Sequence, residues 1–422
     1  MKVSHIYIKD YHQFKDFELD LTYPAGHPKA GKPLDKVCII GQSGTGKTSL
    51  LNKLAKPKPA EKKYYSDPTT KSDLFNNNQI TTPLDFNNKN LSFIKYVNSD
   101  NDIRFTLFDN GYLVYKNGAE YSQSRYSLPI IIDAHTGDKD LGENLQYWQD
   151  IIKDIIVFRE QEIQKKLEIA ELVTTNQELL QTELDKFNEW QKSRPNPLKD
   201  LADNYLDKLL SQFYLRVKQS LDFKKTEDIK TIKIETIEGK EVPNNLLSTG
   251  TKQIILTTLP LYASKPTKTI ILFDEPERSL YPDIQTKIID FYTSLSTDCQ
   301  FFFATHSPLI ASCFEPWEIV ELKFKPDGSV YRELYYDSQK ENHVDNYTID
   351  PRYLRWDSIL TRIFDLDNDS NEARTRKLME LATLRSKLHK DNGQLSMEEK
   401  QKLQAQFEKL ANLLDWEYDA EN

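Results

Sequence analysis

The sequence predicts an α/β fold built around a mixed sheet, and three stretches carry that prediction. Lys36-Val-Cys-Ile-Ile40 is a compact apolar strand that enters a glycine-rich turn, with a helix opening at Ser49. Thr269–Phe273 and Gln300–Ala304 are two further apolar strands, separated by a helical stretch over Asp283–Ser296. Strand, helix and strand in that order make a βαβ crossover, which brings consecutive strand ends to one edge of a sheet.

The remaining elements follow along the chain. Val3, Ile6 and Ile8, then Phe14, Phe17, Leu19 and Leu21, alternate as in two short strands joined at Asp10–Lys15. Residues 57–90 are rich in Lys, Asn, Asp, Pro and Thr and read as a mobile surface segment. Strand-like runs recur from Leu91 to Ile132, with turns at Asn101-Asp102 and Asp109-Asn110-Gly111, so a small antiparallel subdomain is expected there. The pattern turns helical between about Leu145 and Phe223. Ile156, Ile163 and Ala170 recur every seven residues, and Leu180, Leu184 and Phe187 follow four-then-three spacing. Breaks at Thr174-Thr-Asn176 and Ser193–Pro197 make this a helical hairpin or short coiled-coil arm. Its role is open between an oligomerisation or partner surface and a helical subdomain packed on the head. The chain ends in a charged helix pair, Asn371–His389 and Ser396–Leu414. The expected organisation is a first head lobe over 1–141, a helical insertion over 142–223, a second head lobe over 224–335 and a helical extension over 336–422.

Composition narrows the function classes. The 422 residues are 38% hydrophobic and 29% charged, enough for a sizeable core with long solvated helices. Lys and Arg number 56 against 65 Asp and Glu, a net charge of -9, so the chain as a whole does not advertise nucleic acid. A local basic face at 53–63 or Lys224–Lys233 could still serve DNA. Cys38, Cys299 and Cys313 lack the spacing of a disulfide framework or a zinc site. No signal-peptide or membrane-span pattern stands out, and a reducing cytoplasm is the expected compartment.

Gly41-Gln-Ser43-Gly44-Thr45-Gly46-Lys47-Thr48 satisfies GxxxxGK[ST] in full. Glycines let successive backbone N–H groups turn inward around phosphate oxygens, and the following helix, with Ser49 in its opening turn, presents its positive end to the same anion. Lys47 supplies a charge for the β and γ phosphates, and Thr48 a hydroxyl for Mg2+. The implied cofactors are ATP and Mg2+. Asp274 and Glu275 end an apolar strand, where neighbouring side chains point apart. Asp274 is the candidate Mg2+ holder and Glu275 the candidate general base for an attacking water. His306 ends the next strand, 31 positions after Glu275 (306 − 275), where it could donate to a bound γ-phosphate.

Asn245-Leu-Leu-Ser248-Thr-Gly250-Thr-Lys-Gln253 resembles the signature sequence of ABC ATPases, with Leu247, Ser248 and Gly250 in place. The tetrapeptide alone reads equally as a helix N-cap, and the two readings are compatible. With the phosphate loop, Asp274-Glu275, a D-loop-like Glu277-Arg-Ser-Leu280 and His306 in this order, the chain resembles an SMC/RecF-type ABC ATPase. The opening Ile6–Leu21 is similar to the first hairpin of that class, with His12 where Arg or Lys is common and Lys15 nearby. By order, Asp133-Ala-His135 falls where the Q-loop belongs. Glu275–Gln285 and Ala304–Ser312 resemble the OLD-like branch, and the tail from Leu354 to Phe364 is similar to ATPases of antiphage systems such as PARIS, Septu and retron-associated ones.

What the resemblance implies is an ABC-type head that hydrolyses ATP slowly and dimerises head to tail. Ser248 and Gly250 of one protomer would close on the γ-phosphate held by the other. No Toprim-like acidic cluster or HNH-like histidine set follows His306, so a separate nuclease is the expected effector, with DNA or a phage product as a possible trigger and no membrane partner. The alternative is a DNA-clamping repair ATPase. A transporter subunit ranks last, because 207 positions separate Gly41 from Ser248 (248 − 41).

Overall fold

The structure is a computed structural model that describes residues 2–55, 93–97, 103–107, 115–116, 119–120, 130–132, 145–175, 177–220, 232–334, 350–364, 366, 371–389 and 396–416. The surface segment expected at 57–90, the Q-loop candidates Asp133 and His135, and most of the two lysine-rich stretches lie outside these residues. The chain divides into two compact units, Met1–Tyr353 and Leu354–Asn422.

A ten-stranded sheet organises the first unit. One side is mainly antiparallel. β1 (Lys2–Tyr11) pairs with β2 (Phe14–Asp20) in the register that sets Asp10 against Lys15, as the alternation requires. β4 (Phe93–Val97) pairs antiparallel with β1, and β5 (Ile103–Leu107) with β4. Of the strands expected as an antiparallel subdomain, β4 and β5 therefore extend the edge of the main sheet. β6 (Tyr115–Lys116) and β7 (Ala119–Glu120) form a two-stranded pair of their own. A separate three-stranded antiparallel sheet contains β9 (Leu215–Val217), β10 (Ile234–Thr236) and β11 (Glu241–Val242).

The other side of the sheet is parallel and carries the site. β3 (Lys36–Gly41) lies between β13 (Gln300–Ala304) and β14 (Ile319–Phe324), and β12 (Ile270–Asp274) lies between β13 and β8 (Ile130–Ile132). Every residue of β12 and β13 is buried, which is why these strands read as unbroken apolar runs. Phe273 stacks on Phe303 at 5.0 Å and on Tyr292 at 4.2 Å, so the covering helix Pro282–Ser294 is fixed to the sheet through aromatic contacts. β15 (Val330–Glu333) pairs antiparallel with β14 and meets β2 at Val330–Phe14, joining the two sides.

The helical insertion is a hairpin of Leu145–Thr175 and Gln177–Ser193. Phe158 stacks on Trp190 at 5.1 Å and Arg194 Nη1 donates to Gln161 Oε1 at 2.7 Å, so the second helix runs back along the first. Leu180, Leu184 and Phe187 lie on its half-buried face, as their spacing suggests. The seven-residue recurrence of Ile156, Ile163 and Ala170 is not the buried seam. Ile163 is 58% exposed, whereas Trp148, Ile151, Ile152, Ile155 and Phe158 are buried. Those five are clustered toward the start of the helix, so no single apolar stripe runs its length. After the hairpin, Tyr262 of the helix Thr249–Ser264 donates its hydroxyl to Pro197 O at 2.7 Å.

The second unit contains the helices Trp356–Arg362, Glu372–His389 and Met397–Leu413. Leu381 packs with Phe407, Leu410, Ala411 and Leu414, and Ser396 with Glu399 closes a capping box at the start of the last helix. Among the described residues, no helix is long and apolar enough to cross a membrane.

Candidate nucleotide site

The phosphate loop leaves β3 at Gly41 and enters the helix Lys47–Ala55, two residues earlier than the expected opening at Ser49. Gly46 has φ +88, a conformation that favours glycine, and a Cβ there would also have to displace the Gln13 amide, whose Nε2 would stand 2.1 Å away. Thr45 is fully buried and its hydroxyl donates to Gln42 O at 2.8 Å, which makes that side chain a brace of the loop. Ser43, Gly44 and Thr48 are exposed, and Ser49 is half-buried. Lys47 Nζ donates to Gly41 O at 2.9 Å and to Gln42 O at 3.2 Å. Burial draws its pKa down to about 8, while Glu275, Asp274 and Glu277 act in the opposite direction.

The parallel register brings the chemistry-bearing residues together. Asp274 ends β12 opposite Ala304 of β13, and the Thr48 hydroxyl donates to Asp274 Oδ2 at 2.8 Å. A hydroxyl and a carboxylate converging in this way form the hard-oxygen set that suits Mg2+. Glu275 donates its backbone N–H to Ala304 O at 2.8 Å and adopts φ +47. That left-handed conformation costs a non-glycine residue on the order of 1–3 kcal/mol. In it the Glu275 carboxylate stands 3.8 Å from His306 Nε2. Both side chains are open to solvent, at 37% and 40% exposure for Glu275 and His306. Burial and the charge of Lys47 lower the His306 pKa, and Glu275 raises it.

Ser248 is the N-cap of the helix Thr249–Ser264. Its Oγ accepts from Thr251 N at 3.1 Å and lies 2.8 Å from Thr251 Oγ1. It is exposed, and among the described residues its side-chain bonds stay within its own helix start. Gly250 is buried beneath it, where a Cβ would come within 2.5 Å of Ser279 O. The structure thus joins the phosphate loop, Asp274, Glu275 and His306 in one place and leaves Ser248 with Gly250 at a separate helix start.

Two residues of the site make contacts that the motif pattern does not foretell, although Glu277 opens the D-loop-like stretch. Gln13, in the β1–β2 turn, donates Nε2 to Gly44 O at 3.2 Å and so holds the hairpin tip on the phosphate loop. Glu277 accepts from both Thr305 and the His306 backbone. The resemblance pointed to His12 and Lys15 in the hairpin; a glutamine between them gave no signal of its own.

Residues 143–312 match the protein family described as "AAA domain, putative AbiEii toxin, Type IV TA system". No curated protein matches the chain. Among solved structures, an Smc head bound to the C-terminal winged-helix domain of ScpA is 14% identical, with a TM-score of 0.46 over 79% of this chain and 97% of that one. An Smc head with an extended coiled coil, bound to the C-terminal domain of ScpA derived from Pyrococcus furiosus, is 14% identical with a TM-score of 0.42, over 78% and 95%. The SMC head domain from Thermotoga maritima is 11% identical with a TM-score of 0.40, over 79% and 98%. The family match covers less than half of the chain; it includes Ser248, Asp274, Glu275 and His306 and leaves the phosphate loop outside.

Proposed function

We propose that the chain is a Mg2+-dependent ATPase whose heads pair head to tail around ATP. The observation that supports this reading is the Thr48–Asp274 bond beside the Glu275–His306 pair at the end of the phosphate loop, a set suited to holding a metal and to activating a water. Backbone N–H groups of Gly44 to Ser49 and the Lys47 ammonium hold the triphosphate. Thr48, and Asp274 through water, would hold Mg2+, which would neutralise phosphate charge. Glu275 takes the proton of the attacking water, and the imidazole of His306 donates to the γ-phosphate and orients that water. Ser248 offers an exposed helix start, with Gly250 buried beneath it, and among the described residues its side-chain bonds reach no residue of its own phosphate loop, in keeping with a γ-phosphate held by a second copy. The two bridged phosphates hold the heads together, and hydrolysis releases them.

In this reading the head controls a separate effector, a nuclease, in defence against phage. The sequence resemblance supports it. The second unit and the helical hairpin are the surfaces available to such a partner.

Three chains test the ATPase core: wild type, Lys47→Ala and Glu275→Gln. ATP binding, phosphate release and mass by light scattering are measured with Mg2+. Wild type hydrolyses ATP slowly, Lys47→Ala fails to bind it, and Glu275→Gln binds it and accumulates as a dimer. Hydrolysis by Glu275→Gln at the wild-type rate removes Glu275 as the base. Co-expression with neighbouring reading frames then tests effector control: a nuclease that co-purifies and is regulated by ATP supports it, and a permease points to transport.

A further inference from the structure

Glu277 is a carboxylate beside the reacting groups that the hydrolysis scheme leaves unused. Its Oε1 accepts the Thr305 hydroxyl at 2.5 Å and the His306 backbone N–H at 3.2 Å. Thr305 Oγ1 in turn accepts the Ser307 N–H at 2.9 Å. The second oxygen, Oε2, is buried and has no hydrogen-bond partner among the described residues. Burial pushes the Glu277 pKa up, against the hydrogen bonds from Thr305, from its own backbone N–H and from the His306 N–H. An acceptor withdrawn from water without a partner is destabilising, so the position calls for an offsetting role.

Its place in the sheet indicates that role. Parallel pairing of β12 with β13 runs to Asp274 and Ala304, and the Glu275 N–H to Ala304 O bond carries it one step further. Beyond that point, the Glu277 side chain provides the bridge between the two strand ends. Thr305 is fully buried and Ser307 nearly so, while the His306 imidazole is 40% exposed and faces Glu275. Whatever fixes the 305–307 backbone therefore fixes where that imidazole stands.

We propose that Glu277 is a positioning residue for hydrolysis: one carboxylate oxygen clamps the Thr305–His306 peptide to the end of β12 and sets the His306 imidazole against Glu275. This rests on the ATPase reading above. The clamp needs an acceptor oxygen rather than a charge, so an amide serves in its place, and it acts on turnover without touching the phosphate loop.

The test compares wild type with Glu277→Ala, Glu277→Gln, Thr305→Val and the Glu277→Ala/Thr305→Val double variant. Without nucleotide, hydrogen–deuterium exchange over 301–310 is expected to accelerate in Glu277→Ala and to stay near wild type in Glu277→Gln. In steady-state ATP hydrolysis, Glu277→Ala is expected to lose about 10- to 100-fold in kcat, the scale of a misplaced catalytic group, with KM for ATP within about twofold. Glu277→Gln is expected to recover most of that loss, and the double variant to be no slower than Glu277→Ala alone, as residues of one network behave. The proposal is overturned if exchange is unchanged in Glu277→Ala, if it accelerates while kcat holds, if KM rises in step with the loss, if Glu277→Gln is as slow as Glu277→Ala, or if the two substitutions add. Should Glu277→Ala fail to fold, Thr305→Val and Glu277→Gln decide between the same outcomes. A wild-type chain that does not hydrolyse ATP removes the ATPase reading and the positioning role with it, while the exchange measurement still reports separately on the clamp.

Discussion

Thr48 and Asp274 lie 226 positions apart in the chain, and the Thr48 hydroxyl donates to Asp274 Oδ2 at 2.8 Å. The two oxygens are already gathered where a small hard cation bound to a phosphate would need them. Asp274→Asn keeps an acceptor for Thr48 and removes the charge. Its melting temperature should match wild type, while Mg2+ should no longer strengthen ATP binding. Titration calorimetry with and without Mg2+ checks this, and an unchanged Mg2+ effect counts against the assignment.

Ser248 both caps a helix and, in the proposed dimer, faces a partner's phosphate. The two roles can be separated, because Asp caps a helix about as well as Ser but carries a negative charge. Ser248→Asp should retain thermal stability and ATP binding to the monomer, yet lose ATP-driven pairing of the heads. Sedimentation in ATP and Mg2+, in a Glu275→Gln background, reports the outcome. Pairing that survives the added charge argues against a phosphate at Ser248.

A Cβ at Gly250 would stand 2.5 Å from the Ser279 carbonyl oxygen, and that obstacle is backbone. Gly250→Ala should therefore destabilise the fold by about 1–3 kcal/mol through overpacking. Urea unfolding measures it. A variant as stable as wild type would mean that the helix start and the Glu277–Leu280 loop can separate at little cost.

Glu318 is 3% exposed, and burial pushes its pKa up to about 7 despite Lys36 at 3.4 Å and a hydrogen bond from the Glu315 N–H. A carboxyl that holds its proton more tightly in the folded state makes the protein lose stability as pH rises from about 4.5 to about 7, with the loss complete above that. Glu318→Gln lacks this titration. Its stability relative to wild type should rise across the window, by an amount on the order of 3 kcal/mol for the full rise. Denaturation at pH 5 and pH 8 gives the difference, and a gap that shrinks with pH contradicts the buried-acid account.

The parts that sequence made legible are those whose signal is local. The apolar runs of β3, β12 and β13, the hairpin of β1 and β2 and the Ser248 cap all follow from neighbouring residues. So does the grouping of Asp274, Glu275 and His306, because a βαβ crossover constrains where strand ends fall. What was not legible depends on distant partners. The antiparallel strands beyond Leu91 gave no sign that β4 would choose β1 and extend the main sheet. The Ile156–Ile163–Ala170 period misled because burial on that helix is concentrated near its start, leaving Ile163 outside. Gln13 matters through what the fold brings to it and belongs to no spacing pattern. Glu277 lies in the D-loop-like stretch, but that resemblance gives no sign of its bonds to Thr305 and His306.

Gln300, at the start of β13, is fully buried, and its side-chain amide meets the first strand of the chain. Its Oε1 accepts the Val3 N–H at 2.6 Å, and its Nε2 donates to Val3 O at 2.9 Å and Leu34 O at 2.8 Å. On the ribosome, Val3 emerges nearly three hundred residues before the amide that completes its hydrogen bonding. Even with its hairpin formed, β1 must wait for nearly three hundred further residues before that last fastening, as contacts of high sequence separation do. Nascent chains stalled before residue 300 should leave this strand open to chaperones, and those stalled well beyond it, with the segment clear of the exit tunnel, should not.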